Sequence, residues 1–321
     1  MTHLDEKHFI SDKVTIIGAG YVGATTAFAL MNGGVTSEIA IIDLNEKKLS
    51  GEVLDLNHGI SFVPQVYIHE GTYDDCEDSN IVIITAGVGQ KPGESRIDLL
   101  KRNIEVFRHI IPRVVERNRN CVILVVTNPV DILTYAALKI SGLPDNQVIG
   151  SGTVLDSARF KYLLSRHCRV APHNVNAYII GEHGDTEVPA WSITNIAGMQ
   201  VERFCFQCGR ECDQAEKNRI FEEVKNSAYQ IIDGKGATYY AVALAVRRIV
   251  EAILRKENAV LPVSSLMKGY YGVEDVCLSL PSIVNDQGLD RVLQLPLNEQ
   301  EINGFRHSAN TLKKALREIG F

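Results

Sequence analysis

Three residues in the second half of the chain have the types and spacing for chemistry on a small acid. Asp156 and Arg159 stand three apart in a stretch that reads as a helix, 155–168, so they project from neighbouring positions on one face. His183 lies in GEHGD (181–185), just after an apolar, strand-like run, where a side chain is both fixed and open to a ligand. A histidine that carries protons needs a partner to fix its tautomer and stabilise its charged form, and Asp156 suits that part. Arg159 suits a carboxylate, which a guanidinium grips with two parallel N–H bonds. Spacing alone also permits an ordinary helix-surface ion pair and a lone structural histidine; eight other histidines are scattered along the chain.

A second constellation sits near the start. Gly18-Ala19-Gly20-Tyr21-Val22-Gly23 follows a β-branched run and opens a helical stretch. In such a motif the first glycine (Gly18) permits a tight turn and the second (Gly20) removes a side chain that would block a pyrophosphate. The third (Gly23) lets helix and strand pack closely. The helix start then offers free N–H groups and a positive dipole end to phosphate. Asp43 follows about 20 residues later, where a carboxylate can bond both ribose hydroxyls of an adenosine and repel a 2′-phosphate. The next residues, Leu44 and Asn45, bring no cation, so the spacing favours NAD over NADP. Asp43 also suits a plain helix cap. No GxxxxGK[ST] loop occurs, which argues against an ATPase.

These groups need a scaffold, and the hydrophobic pattern supplies one. Runs rich in Val and Ile at 14–20, 38–44, 66–69, 81–85, 121–127 and 148–149 alternate with helical stretches, the one at 96–118 expected to break or bend near Pro112. That rhythm predicts an α/β fold: a doubly wound (Rossmann) six-stranded parallel sheet covered on both faces, occupying 1–150. The remainder, 151–321, predicts a second, α+β substrate domain. Its helix 155–168 and strand 174–180 precede a long helical pattern, 221–256, broken at Gly234 and Gly236. Strand-like runs follow at 260–267, 276–285 and 292–295, then a last helix at 299–319. The helical stretch 239–255 is apolar over much of its surface, which predicts burial between domains or subunits.

Composition narrows the class. The 321 residues carry 33 Lys+Arg against 39 Asp+Glu, a net charge of −6, so nucleic acid is not the expected partner. With 45% apolar and 22% charged residues the chain can build sizeable cores. The most apolar segment, 121–140, is broken by Asn128, Pro129 and Asp131, so no membrane span is expected. The charged start, MTHLDEKHFISDK, lacks the apolar core of a secretory signal, and the seven scattered cysteines read as reduced thiols of a cytoplasmic protein.

Beyond these local readings, six segments taken in order resemble the L-lactate/malate dehydrogenase family, most closely its bacterial-type L-lactate dehydrogenases. They are GAGYVG (18–23), AGVGQKPGESRIDLLKRN (86–103), TNPVD (127–131), GSGTVLDSARF (150–160), IIGEHGD (179–185) and GKGATYYAVA (234–243). The resemblance implies reversible hydride transfer between NADH and pyruvate, giving L-lactate, in glycolysis and fermentation. It implies His183 as proton donor to the pyruvate carbonyl and acceptor in reverse, Asp156 as the carboxylate stabilising the imidazolium, and Arg159 as the anchor of the substrate carboxylate. It further implies Arg96 as the mobile-loop arginine that polarises the carbonyl, Asn128 beside the substrate oxygen and the nicotinamide, and Thr238 lining the substrate pocket. A lid around Lys91-Pro92-Gly93 would close over the site and expel water. A homotetramer follows by the same resemblance. Intact His183, Asp156, Arg159 and Arg96 speak against a non-catalytic member of the family, whereas 2-oxo acids bulkier than pyruvate remain an open alternative.

Two features depart from relatives. Members activated by fructose 1,6-bisphosphate commonly pair an Arg with a His where this chain has Lys161 and Asn176, so a weak response to that effector is expected. Cys205, Cys208 and Cys212 have the spacing of a metal or redox site, but no histidine is near in sequence, and they read as surface thiols on a loop. Substrate choice is expected to rest on Gln90, where malate dehydrogenases of the family place an arginine against the second carboxylate of oxaloacetate. An unpaired buried carboxylate is heavily penalised, so Gln90 accepts the pyruvate methyl and rejects the diacid. Gln90→Arg should therefore raise the ratio of kcat/KM for oxaloacetate over pyruvate by roughly two orders of magnitude. Steady-state NADH oxidation with both acids measures it, and an unchanged ratio counts against the assignment.

Overall fold

Strands made almost wholly of Val and Ile are stable only where both faces are covered, and the first half of the chain folds to provide that cover. The computed structural model describes residues 12–89 and 93–321. In chain order the first half contains β1 (Lys13–Ile17), α1 (Tyr21–Gly33), β2 (Glu38–Ile42), α2 (Glu46–His58), β3 (Tyr67–Glu70) and β4 (Ile81–Ile84). It continues with α3 (Arg96–Arg117), β5 (Val122–Val125), α4 (Val130–Ser141) and β6 (Val148–Gly150). The six strands are parallel neighbours in the order β6-β5-β4-β1-β2-β3. Strand β1 lies between β2 and β4, so the loops leaving β1 and β4 diverge and open a crevice at their carboxyl ends, where ligands of such sheets bind.

The second half holds α5 (Val154–Cys168) and five two-residue strands, β7 (Val175–Asn176), β8 (Ile179–Ile180), β9 (Val188–Pro189), β10 (Asn195–Ile196) and β11 (Met199–Gln200). Then come α6 (Val201–Gln207), α7 (Gln214–Lys235), α8 (Tyr240–Leu254), β12 (Ala259–Leu261), β13 (Ser264–Tyr270), β14 (Val273–Ser279), β15 (Ser282–Asn285), β16 (Gly288–Val292) and α9 (Glu299–Glu318). The expected six-stranded sheet is the parallel part of an eight-stranded one. Strand β13 pairs antiparallel with the β6 edge through Ser264 and Gly150, and β14 pairs with β13. Apolar alternation marks these runs as strands but carries no information about which sheet they join.

Other boundaries moved for local reasons. The run expected as one strand at 174–180 splits, because β7 pairs with β10 while β8 pairs with β9. Helix α3 continues through Pro112. The carbonyl that loses its partner belongs to Arg108, which is exposed, so water can satisfy it. Helix α7 ends as expected at Gly236, whose φ of +83° is the left-handed C-cap conformation. Helix α8 packs on α1 of the first half, as its apolar face requires, with Ile249, Val250 and Ile253 buried. Tyr240 and Leu244, with Phe28 of α1, stay exposed.

Buried side chains form two clusters. One surrounds the large sheet. The other, with Phe160, Leu164, Ile196, Ile220 and Val224, lies between α5, α6 and α7. Helix α5 thus turns one face to each half of the molecule. Among the described residues, no helix is long and apolar enough to cross a membrane.

Candidate active site

The glycines of the first turn separate into those the protein itself requires and one it does not. Gly18 has φ +112°, and a Cβ there would stand 2.7 Å from the Ala86 amide nitrogen. A Cβ on Gly23 would lie 1.8 Å from the Gly18 carbonyl oxygen. Gly20 has φ −71°, open to any residue, and a Cβ on it would meet nothing within 4 Å. Its missing side chain therefore leaves room for something other than protein. Gly20 is the N-cap of α1 and supplies no side-chain cap, so with Tyr21 and Val22 it presents an uncapped helix start to the crevice.

Asp43 stands opposite. Its Oδ2 accepts the Ala19 N–H at 2.7 Å and its Oδ1 the Asn45 N–H at 2.8 Å. The cap of α2 is Asn45, which accepts the Lys48 N–H at 3.1 Å, so Asp43 is not spent on capping. Gly18, Gly20, Asp43, Thr85, Val88 and Ile110 all border one groove of about 600 Å3, within the size range of cofactor sites. Uncapped amides for a pyrophosphate, a carboxylate for a ribose and apolar walls for an adenine are the donor set that a dinucleotide needs.

The reacting centre joins α5 to the loop after β8. Asp156 is buried, and its two oxygens hold two cations: Oδ2 is 2.5 Å from His183 Nδ1 and Oδ1 accepts Arg159 Nη1–H at 2.7 Å. The ion pair that spacing suggested is present, and His183 is part of it. Side-chain exposure rises from 3% at Asp156 to 13% at Arg159 and 23% at His183, so the relay runs from a buried acid outward. It borders a small pocket of about 90 Å3, together with Glu187 and Tyr229. Burial alone would raise the Asp156 pKa; the imidazole charge and hydrogen bond, with Arg159, hold it below the usual carboxylate value. Burial would likewise depress His183, but the Asp156 charge and hydrogen bond, followed by Asp131, hold it up at about 9.

Three carboxylates here escaped the sequence reading. Asp131 Oδ2 accepts the His183 backbone N–H at 2.7 Å and its Oδ1 accepts the Ser264 hydroxyl at 2.5 Å, tying the histidine loop to α4 and β13. Burial lifts its pKa to about 7 against the pull of those donors. Glu187 is buried, its Oε1 has no hydrogen-bond partner, and burial followed by the Asp156 charge lifts its pKa to about 9. It is therefore a neutral acid at pH 7. Asp185 accepts from Arg96 Nη1 at 3.3 Å and from the Tyr229 hydroxyl at 2.8 Å. TNPVD carries Asp131 in plain view, but nothing in its spacing points to a loop 52 residues away.

The remaining expected residues fall as follows. Arg96 opens α3 with its side chain 83% exposed, bound to the His183 loop through Asp185. Asn128 is exposed just beyond the end of β5, and Thr238 is half-buried between α7 and α8. Gln90, Lys91 and Pro92 lie outside the described residues. Lys161 stands over the Tyr178 ring, and Asn176 donates to Asn195 at 3.2 Å. The cysteines are not surface loop thiols. Cys205 is buried within α6, Cys212 is buried just before α7, and only Cys208 of the three is exposed. Cys205 from α6 and Cys212 from the loop before α7 both turn into the second core, while Cys208 at the C-terminal cap of α6 faces outward.

Comparison with known proteins agrees with the geometry. The family model of the lactate/malate dehydrogenase NAD binding domain matches residues 12–150, and that of the lactate/malate dehydrogenase alpha/beta C-terminal domain matches 153–320. The chain is 60% identical to the L-lactate dehydrogenase of Acetivibrio thermocellus over 96% of its own length and 97% of that protein's. It is 54% identical to L-lactate dehydrogenase 1 of Clostridium acetobutylicum, over 96% and 98% of the two chains. The ligand-bound crystal structure of the minor L-lactate dehydrogenase from Enterococcus mundtii superposes with a TM-score of 0.93 at 43% identity, covering 96% of this chain and 98% of that one.

The glycine geometry separates binding from folding. Gly20→Ala should leave Tm within about 1 °C and weaken NADH binding at least roughly tenfold, because its methyl group enters only the groove. Gly23→Ala should instead lower stability by about 2–4 kcal/mol through overpacking. Thermal melts and fluorescence titration of NADH distinguish the two, and a Gly20→Ala protein with wild-type NADH affinity would contradict the groove assignment.

Proposed function

The chain belongs to the lactate/malate dehydrogenase family, and from that premise we infer how its own residues serve an NAD-dependent interconversion of pyruvate and L-lactate. Bound NADH supplies the hydride equivalent that the protein lacks. The rest is positioning and proton handling. We take 1–150 as the dinucleotide-binding unit and 151–321 as the substrate unit.

The observation that carries this reading is the pair of bonds made by Asp156. With Nδ1 of His183 held by Oδ2, the other ring nitrogen, Nε2, is the one that can give a proton to the carbonyl oxygen of pyruvate or take it from the hydroxyl of lactate. Arg159 keeps one N–H on Asp156 and has its remaining donors for the substrate carboxylate. Arg96, brought inward from Asp185, adds a second positive group against the developing alkoxide. Asn128 and Thr238 bound the oxygen and methyl ends of the substrate, and Gly18, Gly20, Tyr21, Val22, Gly23 and Asp43 hold the dinucleotide.

Charge favours a monoacid. Arg159 and protonated His183 face ionised Asp156 and an Asp131 that is half-ionised near pH 7, while Glu187 stays neutral, so the centre carries at most one net positive charge. One carboxylate balances it; a second would be buried without a partner. Gln90 reinforces that choice. We infer by family resemblance that the chain works in the cytoplasm, in fermentative glycolysis, as a homotetramer. The exposed Phe28, Tyr240 and Leu244 on the α1–α8 face support the last point. Lys161 and Asn176 support a weak response to fructose 1,6-bisphosphate.

The sign of the pH dependence follows. Pyruvate reduction needs protonated His183, so its kcat/KM should be level at neutral pH and fall tenfold per unit above about 9. Lactate oxidation needs the neutral ring and should rise towards the same value. Asp156→Asn removes the charge that holds the imidazolium, so both limbs should move to lower pH and kcat/KM should drop about 10²- to 10⁴-fold. Profiles measured in both directions test this; limbs unmoved by Asp156→Asn would remove His183 from the role.

A further inference from the structure

Behind the substrate pocket, at the far end of α5, three segments bring soft donors together. A ring nitrogen of His167 and the Sγ atoms of Cys205 and Cys212 all lie within 4.8 Å of one another. They come from the last turn of α5, from α6, and from the residue before the cap of α7. The Sγ of Cys168 is 3.5 Å from that of Cys205. This is far longer than a disulfide of about 2.05 Å, and close to the edge of about 3.7 Å of a tetrahedron built on metal–sulfur bonds of about 2.3 Å.

A cluster of buried thiols can be mere packing, since cysteine behaves as a small hydrophobe. His167 breaks that explanation. Its side chain is only 9% exposed, and its Nδ1 is 2.8 Å from Glu216 Oε1. Its Nε2 is buried with no hydrogen-bond partner at all. A buried polar nitrogen without a partner is costly, and it has no reason to persist in an apolar core. A carboxylate on the opposite ring nitrogen is the arrangement that fixes the tautomer and orientation of a metal-binding histidine. Arg219 grips both oxygens of Glu216, through Nε–H at 2.8 Å and Nη2–H at 2.6 Å, and so fixes the carboxylate in turn. An open cleft of about 370 Å3 bordered by His167, Glu216 and Arg210 gives an entry path.

We propose that His167 Nε2, Cys205 Sγ and Cys212 Sγ bind a thiophilic divalent cation of the zinc type, with Cys168, which stands beside Cys205 but outside that mutually close group, turning in as the fourth donor. Imidazole and thiolate together select such ions over Mg2+ or Ca2+. Binding exchanges each ligating thiol's proton for the metal, releasing the protons to solvent. The cation fastens the end of α5, the helix that carries Asp156 and Arg159, to α6 and α7. It touches neither substrate nor dinucleotide, so its role is to steady the wall of the site.

The test uses the full-length reduced protein, stripped with a chelator, dialysed against Zn2+ or Co2+ and analysed by elemental mass spectrometry and visible absorption. One metal per chain, a Co2+ spectrum with tetrahedral bands and thiolate charge transfer, and a Zn2+-dependent rise in Tm of roughly 5 °C are expected. His167→Gln and Cys212→Ser should each lose the bound metal and the Tm rise, while Cys208→Ser keeps both. Retained NADH oxidation certifies that His167→Gln is folded should Cys212→Ser fail to fold. Less than about 0.1 metal per chain in the wild type, an octahedral Co2+ spectrum, or equal binding by wild type and His167→Gln overturns the proposal.

Discussion

One buried carboxylate, Asp156, holds the active centre together. A lone ionised acid in that position would be prohibitively costly, and a protonated one would do nothing for its neighbours. It is sustained because its two oxygens face two different cations, the proton carrier and the carboxylate anchor. Remove either cation and the remaining geometry is under-compensated. The surroundings serve this arrangement. Helix α5 presents Asp156 and Arg159 from one face, and Asp131 grips the backbone of His183 so that the ring meets the acid. Ser264 holds Asp131, linking the loop to a strand of the central sheet.

The electrostatics explain why so many acids can surround one histidine without quenching the site. Asp131, Glu187 and Asp156 are all buried, yet only Asp156 is held below its ordinary pKa. Glu187 is lifted by its own burial and by the neighbouring charge, so it contributes volume and a proton rather than a third anion. The result is a centre with at most one spare positive charge, which suits a substrate with one carboxylate. The dinucleotide groove follows the same economy of means: two of its glycines satisfy the fold, and the third leaves space for the guest.

What was legible in the sequence was what is local. The strand, glycine turn and helix of the dinucleotide motif follow one another without a break between Lys13 and Gly33, and the spacing of Asp156 and Arg159 fixes their common face. The six parallel strands were readable from their Val and Ile content, but the partners of β13 and β14 were not, because alternation says nothing of which edge a strand joins. The bond between Asp156 and His183 spans 27 residues and was suggested by chemical need rather than by pattern. Asp131 and Glu187 gave no signal, since an acid near a motif looks the same whether it is solvated or enclosed. The cysteines were misread as surface loop thiols because the histidine that joins them is about forty residues distant in the chain and adjacent only after α5, α6 and α7 have packed.

The antiparallel pairing of β13 with β6 welds the halves of the molecule into one continuous backbone lattice. The seam rests on one register pair, Ser264 with Gly150, which the longer β13–β14 ladder then continues, so the sheet itself crosses the boundary between the halves. It also means that neither half is whole in isolation. Severed at the boundary, the first would carry a bare strand edge, an invitation to pair with its own copies.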